Sequence, residues 1–300
     1  MKILVLGANG QVGHELLRAL APLGDVVAAT RDGTRVDGSR CLVADLADAA
    51  SLAAALDGAR ADLVVNAAAY TAVDRAEDEP ALADRINHRA PGEIGAWAAA
   101  HGARVMHYST DYVFDGSGTR PYREDDPTAP PGVYGASKLA GERALAASGA
   151  RHLVLRTAWV YAARGHNFLR TMLRLARERD ELRIVADQVG APTPAHWLAD
   201  ATAQIAGRWH DAGDDGVCHL SAGGQCSWHA FAQAIVDSAA QRGLIARAPR
   251  VTAITSADFP TRARRPAYSV LDGGRVERRF GIVRPDWRSG LDEVLAQVPP

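Results

Sequence analysis

Gly7-Ala8-Asn9-Gly10-Gln11-Val12-Gly13 is the stretch of sequence that decides the fold. It follows an apolar segment, residues 3–6, that is typical of a buried strand, and it opens a helical pattern over residues 12–21. The glycines allow a tight turn and a close approach of a pyrophosphate to the backbone, while the start of the helix offers amide groups and a positive dipole. A glycine pattern in this strand–turn–helix context predicts a dinucleotide site.

The first half of the chain alternates short apolar, β-branched segments with alanine-rich helical stretches. Strands are predicted at residues 3–6, 26–30, 41–44, 63–66, 104–109 and 152–156, and helices at 12–21, 51–56, 80–100 and 135–147. Two further helices are predicted at 168–179 and 228–240. Such alternation indicates parallel strands joined by crossover helices that cover both faces of a sheet.

These elements predict an α/β fold with two domains. Residues 1–160 should form a Rossmann-type, doubly wound parallel sheet that binds NAD(P). Residues 161–300 are less regular, and we expect them to form mainly a smaller substrate-binding domain over the carboxyl ends of the strands, with later segments able to rejoin the sheet.

Composition and charge exclude several classes of function. The formal net charge of −1 gives no basic field for nucleic acid, and no apolar run approaches the ~18 residues of a membrane span. Cys41, Cys218 and Cys226 show no metal-ligand spacing, nor do the ten histidines, so no catalytic metal is expected. Residues 1–2 lead straight into the first strand without a signal peptide. We therefore expect a cytoplasmic protein that binds neither nucleic acid nor a membrane.

The ends of the predicted strands indicate which dinucleotide binds. The second strand ends in Ala29-Thr30-Arg31, so the acid that holds a ribose 2′-hydroxyl in NAD sites is missing and Arg31 can meet a 2′-phosphate. NADPH is expected in preference to NADH, although Asp32 could leave some use of NADH. The cofactor residues predicted on this basis are Gly7, Asn9, Gly10, Gln11, Val12, Gly13, Arg31, Asp45, Leu46, Ala67, Ala68 and Ala69.

Lys138 is one of only two lysines in the chain, the other being Lys2; all remaining basic residues are arginines. It follows Tyr134 by four residues, and on a helix this spacing puts both side chains on one face, ~6 Å apart along the axis. A compact ammonium group beside a phenol favours the phenolate. Thr110, at the end of the fifth predicted strand, should lie near both.

Several longer motifs accompany these three residues. They are GANGQVG (7–13), AAAYTAVDRAE (67–77), STDYVFDG (109–116), YGASKLAGE (134–142), RTAWVYAARGHNF (156–168), DQVGAPT (187–193) and RRPAYSVLD (264–272). With them the chain resembles the extended branch of the short-chain dehydrogenase/reductase superfamily and, within it, the dTDP-4-dehydrorhamnose reductases, over nearly its whole length. The resemblance implies NADPH-dependent reduction of the C4 ketone of dTDP-4-dehydro-L-rhamnose to dTDP-L-rhamnose.

The resemblance also implies residue roles. Reducing a ketone needs a hydride at carbon and a proton at oxygen; Tyr134 would give the proton, assisted by Lys138, while Thr110 would hydrogen-bond the substrate oxygen. Lowering a tyrosine pKa by ~3 units takes about 4 kcal/mol. Tyr108, Tyr134 and Lys138 would also contact the cofactor. The substrate-binding residues implied are Thr110, Asp111, Trp159, Asn167, Phe168, Gln188 and Arg265.

Two alternatives stay open. The substrate could be a related 4-keto-6-deoxy nucleotide sugar, because pocket shape decides which epimer is accepted. The chain could also be a non-catalytic, NADP-binding regulatory subunit, since that of methionine adenosyltransferase resembles the same reductases. Tyr112 stands where nucleotide-sugar dehydratases carry a glutamate, which favours simple reduction over water elimination.

Assembly is a separate expectation from the resemblance. Some family members dimerise through Mg²⁺ held by glutamates, and Glu15 matches one such position. His196 stands where a second glutamate would follow the Pro-Thr segment, and magnesium prefers oxygen ligands. We expect a monomer or a weak homodimer, with Mg²⁺ not required for the chemistry and at most structural.

Overall fold

Strands and helices alternate along the chain in the computed structural model, which describes residues 1–299. The strands are β1 (Lys2–Leu6), β2 (Asp25–Thr30), β3 (Leu42–Val43), β4 (Leu63–Asn66), β5 (Arg104–Thr110), β6 (Arg151–Thr157), β7 (Val160–Tyr161), β8 (Glu181–Val185), β9 (Val189–Gly190), β10 (Thr193–Pro194), β11 (Gly216–His219), β12 (Cys226–Ser227) and β13 (Arg250–Ile254).

The helices, in chain order, are α1 (Gln11–Leu20), α2 (Ala49–Ala59), α3 (Val73–Ala76), α4 (Pro80–Asp84), α5 (Ala90–His101), α6 (Val133–Ala147), α7 (Phe168–Glu178), α8 (Ala195–Arg208), α9 (Trp228–Gln241), α10 (Gly274–Phe280) and α11 (Trp287–Leu295). A π-helical segment, Arg85–Arg89, joins α4 to α5, so the helix predicted over residues 80–100 is continuous but is widened by a π-bulge at one point. Short 3₁₀ turns lie at Ala21–Leu23, Asp111–Val113, Ala212–Asp214 and Ser256–Asp258.

Seven of the strands form one sheet in the order β11-β6-β5-β4-β1-β2-β3, and all neighbouring pairs are parallel. The predicted Rossmann-type, doubly wound sheet is therefore confirmed. The six strands expected from the first half of the sequence are all present. The seventh, β11, comes from beyond residue 160 and was not expected as a strand, because Gly216-Val217-Cys218-His219 lacks the apolar, β-branched run that marks the predicted strands.

Helices cover both faces of the sheet, which explains why its central strands read as continuous apolar runs. On β1, Ile3 and Val5 point into a core shared with α1 and α8, whereas Leu4 and Leu6 point into a core shared with α2, α5 and α6. This alternation follows from the two-residue period of a strand. Because α8 packs on α1, a helix from the second half of the chain completes the core of the first half.

The second half also builds a core of its own. Helices α7, α9 and α11 pack together around Tyr161, Phe231 and Trp287, beside the parallel pair β8–β13. Contacts between the two halves lie beyond the carboxyl ends of the central strands: Asn167 Nδ2 donates to Gln11 Oε1 over 2.8 Å at the start of α1. The second half therefore covers the edge of the sheet at which doubly wound folds bind ligands.

Two helical glycines provide a matched test of the packing between α6 and the π-helical segment. A Cβ at Gly141 would lie 2.0 Å from the carbonyl oxygen of Asn87, whereas a Cβ at Gly58 in α2 would meet nothing within 4 Å in the described part of the chain. We predict that Gly141→Ala lowers the free energy of unfolding by about 1–3 kcal/mol, through overpacking. Gly58→Ala should raise it by about 0.5–1 kcal/mol, through helix propensity. Urea unfolding measures both, and equal effects would contradict the close approach.

Candidate active site

The glycine turn brings three strand ends together. Gly7 has a positive φ of 79°, and its amide and that of Ala8 donate to Ala29 O on β2. A Cβ on Gly7 would lie 2.8 Å from the Ala68 amide nitrogen after β4, and one on Gly13 would lie 2.1 Å from Gly7 O. Only glycine at these two positions lets β1, the turn and α1 pack so closely. Helix α1 begins without a side-chain cap, which leaves its first amides free for an anion.

A cavity of about 640 Å³ opens beside this turn. It is lined by nearly every residue predicted to contact a dinucleotide: Gly7, Asn9, Gly10, Gln11, Val12, Arg31, Asp45, Leu46, Ala67, Ala68, Ala69, Tyr108, Tyr134 and Lys138. Gly13 does not line the cavity; it lies behind the turn, where its role is close packing. The sequence motifs thus converge on one cavity, and its depth and glycine wall suit a dinucleotide.

Sequence reasoning missed part of the cavity wall. The additional lining residues are Thr30, Ala44, Thr71, Ile86, Ser109, Thr157, Val160, Arg164, Gly165 and His166. The last three belong to a loop after β7 that folds back over the glycine turn, with Arg164 Nη1 at 3.5 Å from Gly10 O. Asn167 fixes this loop, and no spacing in the sequence links it to a turn more than 150 residues earlier.

Arg31 and Asp32 both reach the cavity at the end of β2. The Asp32 carboxylate accepts from the Thr34 amide and the Thr30 hydroxyl, each over 3.1 Å, and these hydrogen bonds lower its pKa. Asp32 is thereby held within its own turn, leaving Arg31 as the cationic group at this end of the cavity, after β2.

Tyr134 lies in the first turn of α6 and packs edge-on against Tyr112, with 5.7 Å between ring centroids. Burial raises the pKa of Tyr134 to about 12, and the Thr110 hydroxyl offsets part of this shift. Thr110 also caps the short turn after β5, accepting from the Tyr112 amide over 3.1 Å. The structure brings Thr110 and Tyr134 together as the sequence predicted.

The sequence suggested that the Lys138 ammonium group would lie beside the Tyr134 phenol, but in the structure its Nζ faces strand β5. Its Nζ donates to the Tyr108 carbonyl oxygen over 2.6 Å and lies 3.2 Å from His107 Nε2. Burial lowers the pKa of Lys138 to about 8, while Glu142 acts in the opposite direction. The amine is thus directed at strand β5, and burial, which raises the pKa of Tyr134, outweighs any lowering by this lysine.

Asp111 carries an unused acceptor beside this pair. Its Oδ1 accepts from the Thr110 hydroxyl over 3.0 Å, but the buried Oδ2 has no partner among residues 1–299. Burial raises the pKa of Asp111 to about 6, opposed by the nearby Ser269 and Thr110 hydroxyl groups. An unsatisfied buried oxygen is costly and suits a site that receives a donor from a ligand.

Trp159 has a strained backbone, with φ at +47°, and its ring stacks on Trp228 at 3.4 Å between centroids. A Cβ on Gly190 would lie 2.4 Å from the Trp159 ring, so only glycine leaves room for this stack. Phe168 contacts Trp228 and Phe231 and belongs to the core of the second half. Strain of this kind at a non-glycine residue is typical of functional positions.

Asn167 and Gln188 make internal hydrogen bonds. Asn167 Oδ1 caps α7 by accepting from the Arg170 amide, and its amide nitrogen donates to Ala162 O over 2.9 Å. Gln188 Nε2 donates to Ser256 Oγ over 2.9 Å. In this structure both residues hold loops together, and a direct contact with substrate stays a prediction for them.

The Arg265 side chain makes one hydrogen bond and leaves a buried donor without a partner. Its Nη2 donates to Asp74 Oδ2 over 2.7 Å, while the buried Nε has no partner within residues 1–299. Asp74 belongs to α3, which follows β4, so this contact places the guanidinium near the carboxyl edge of the sheet. The buried Nε–H of Arg265 therefore remains available to an acceptor such as a phosphate oxygen.

The two positions that correspond to metal ligands in some family members form ion pairs in this protein. Glu15 lies 3.8 Å from Arg18 Nε, and His196 Nε2 lies 2.9 Å from Glu293 Oε2. Across residues 1–299 there is no group of three or more His, Cys, Asp or Glu side chains placed to hold a metal ion. None of the helices described is both long and apolar enough to cross a membrane.

Comparison with known proteins agrees with this geometry. A family model described as the RmlD substrate binding domain matches residues 1–299. The chain belongs to the RmlD family. A dTDP-4-dehydrorhamnose reductase of Burkholderia thailandensis is 52% identical over 297 residues, which cover 96% of this chain and 96% of that protein.

Solved structures of RmlD-family proteins have the same fold. A dTDP-4-dehydrorhamnose reductase of Clostridium acetobutylicum superposes with a TM-score of 0.87 at 34% identity, covering 99% of each chain. A dTDP-4-dehydrorhamnose reductase of Bacillus anthracis, solved in complex with NADP, gives a TM-score of 0.87 at 32% identity, covering 99% of this chain and 100% of that one. The family resemblance inferred from the sequence motifs is confirmed.

The raised pKa of Asp111 makes a prediction about stability. Between pH 3.8 and about 6 the folded carboxyl holds its proton more tightly than the unfolded one, so its contribution to stability is lost as pH rises through this window. Asp111→Asn cannot ionise and should therefore be more stable than the wild type at pH 7, by about 1–3 kcal/mol, and nearly equal to it at pH 4. Thermal unfolding at the two pH values measures this.

Asp115 is the matched control, because its pKa is shifted in the opposite direction to that of Asp111. Hydrogen bonds from Ser117 and Tyr122 lower the pKa of Asp115 to about 2, so its ionised form stabilises the folded state above the unfolded pKa. Asp115→Asn should therefore be less stable than the wild type at pH 7. If both substitutions shift stability in the same direction, burial does not determine the pKa of Asp111.

Proposed function

We propose that this chain catalyses the NADPH-dependent reduction of the C4 ketone of dTDP-4-dehydro-L-rhamnose to dTDP-L-rhamnose. The observation that carries the proposal is the meeting of Tyr134, Lys138 and the glycine turn on one cavity, with Thr110 and Asp111 directly beside it. Its relatives are named as reductases of this substrate, and one of their structures contains NADP.

The cavity fits a dinucleotide on its own geometry. The close approach of Gly7 to Ala68 leaves a wall without side chains, and the free amides at the start of α1 face the place of a pyrophosphate. Arg164 reaches over the same turn from the second half, and Arg31 stands where a 2′-phosphate would lie. When bound, the reduced nicotinamide supplies the hydride.

Tyr134 is the proton donor in this mechanism. Its raised pKa keeps the phenol protonated at neutral pH, so the proton is available to the substrate oxygen as that oxygen gains negative charge. Thr110 contacts both Tyr134 and Asp111, and its hydroxyl can orient the ketone by donating to the same oxygen when it turns away from Asp111 Oδ1. Lys138 stabilises the phenolate that remains after proton transfer.

Three groups are suited to the nucleotide sugar. The unpartnered Asp111 Oδ2 can accept from a sugar hydroxyl, and the free Arg265 Nε can donate to a diphosphate oxygen. The Trp159 ring offers an apolar face to the sugar or the base, held in place by its stack on Trp228. An acceptor, a donor and a flat apolar surface match the chemistry of a deoxysugar nucleotide.

Oxidation of NADPH by purified protein, followed by absorbance with dTDP-4-dehydro-L-rhamnose made in situ, tests the proposal. Stoichiometric oxidation supports it. Turnover with another 4-keto-6-deoxy nucleotide sugar, and none with this one, would show that the other sugar is the substrate. Binding of NADPH without turnover of any keto sugar would favour the regulatory-subunit alternative.

Tyr134→Phe isolates the proton donor. The substitution removes the hydroxyl and keeps the ring that packs on Tyr112, so we predict a loss of kcat of about 10²–10⁴-fold with the Kd for NADPH nearly unchanged. Stopped-flow or steady-state kinetics and fluorescence titration measure the two quantities. A kcat close to that of the wild type would exclude Tyr134 as the acid.

Arg31→Ala tests the choice of cofactor. Loss of a guanidinium that meets a 2′-phosphate should weaken NADPH binding by about tenfold or more and leave NADH binding unchanged, because NADH lacks that phosphate. Titration with both dinucleotides supplies the internal control. Equal changes for both, or none for either, would show that Arg31 does not read the phosphate.

A further inference from the structure

A chain of buried polar side chains lies behind the catalytic cavity. In the parallel pairing of β4 with β5, Asn66 stands opposite His107, and its Nδ2 lies 3.1 Å from His107 Nδ1. On the other side of the ring, His107 Nε2 lies 3.2 Å from Lys138 Nζ. Each of the three side chains is at most 2% exposed, so solvent does not compete for these hydrogen bonds.

The Ala68 amide fixes the direction of the chain. It can only donate, and it donates to Asn66 Oδ1 over 3.1 Å. The amide nitrogen of Asn66, which also can only donate, therefore faces His107 Nδ1, so that ring atom must accept. Burial and the charge of Lys138 keep the pKa of His107 well below its usual value, so the ring is neutral and carries its single proton on Nε2.

The protonated Nε2 faces the amine of Lys138. An ammonium group has three N–H donors and no lone pair, whereas a neutral amine can accept. Lys138 Nζ already donates to the Tyr108 carbonyl oxygen over 2.6 Å. We propose that His107 is a positioning residue for the reduction: its Nε2–H holds the Lys138 amine in place and disfavours the ammonium form.

Other titratable groups also face Lys138. Glu142, one turn further along α6, favours the ammonium form, but its carboxylate is shared with Arg156 through two hydrogen bonds, over 2.9 and 2.7 Å. Tyr134 lies on the same helix and is protonated at neutral pH. On β5, Tyr108 presents its carbonyl to Lys138, while its own hydroxyl bonds to Thr202.

The chain gives Lys138 a way to restore the proton donor. After the Tyr134 O–H bond breaks and the proton joins the substrate oxygen, a proton from the Lys138 ammonium restores the phenol through the cavity that both residues line. The resulting amine accepts from His107 Nε2–H, and after product release a proton from bulk solvent returns to Nζ through the same cavity. Because this role presupposes the reductase chemistry proposed above for Tyr134 and Lys138, its test is chosen to need no turnover.

The scarcity of lysine makes the test direct. With ¹³Cε-labelled lysine the protein should show two side-chain signals, and Lys2→Arg identifies that of Lys138. The pH midpoint of the Lys138 signal is then compared between the wild type, His107→Gln and His107→Phe. Glutamine can turn a carbonyl oxygen toward the ammonium group, so we expect a midpoint higher by about half a pH unit or more. Phenylalanine removes the Nε2–H donor and offers no acceptor, so the midpoint should also rise, but by less than in His107→Gln.

A midpoint that stays unchanged or falls in either variant would overturn the role of His107. A second measurement uses the unaltered protein: long-range ¹H–¹⁵N correlation of the histidine rings should show His107 protonated at Nε2 and not at Nδ1. Protonation at Nδ1 would contradict the proposed direction of the hydrogen bonds from Asn66 through His107 to Lys138, even if neither variant folds. Absence of reductase turnover, with the expected midpoints and tautomer, would refute only the proposed function.

Discussion

The whole structure depends on how closely β1, the glycine turn and α1 approach one another. With 2.1 Å between the Gly13 Cβ position and Gly7 O, any side chain would push the helix off the turn. The same closeness joins the ends of β2 and β4 to the turn, through Ala29 O and Ala68. The amides at the start of α1 have no partner within the turn and can bind an anion. The close packing of the glycine turn against α1 therefore also positions the anion site.

The active site concentrates groups that do not help the chain to fold. Asp111 Oδ2 and Arg265 Nε are buried without partners in the described residues, and the Trp159 backbone is strained. Each is unfavourable by itself, and together they lie where the second half of the chain meets the carboxyl edge of the sheet. Elsewhere the buried charges of Arg156 and Glu142 are paired, although Arg156 Nη1 also lacks a partner within residues 1–299. Because Asp111 Oδ2 and Arg265 Nε lie at the carboxyl edge of the sheet, we interpret these two as sites for ligand atoms.

Sequence predicted the first half of the fold well because its signals are local. Apolar runs of four to six residues and the glycine turn located β1 to β6, and the cavity contains nearly every residue placed there. The second half was harder to predict. Strand β11 has no apolar run, and α8 joins the core of the sheet through tertiary contacts, namely its packing on α1 and the hydrogen bond between Thr202 and Tyr108 on β5. Asn167 and Gln188 show the same limit, because their partners, such as Gln11 and Ser256, are set by tertiary contacts distant in sequence.

Lysine at position 138 shows what residue spacing alone cannot give. The four-residue offset from Tyr134 correctly put both on α6, but the direction of Nζ is decided by the Tyr108 carbonyl and His107 on another strand. In that buried position a guanidinium would be a poor substitute. It is larger, always charged and has no lone pair, so it could neither shed a proton nor accept from His107 Nε2–H. A chain whose other basic residues, apart from Lys2, are all arginines therefore has a physical reason to carry a lysine here.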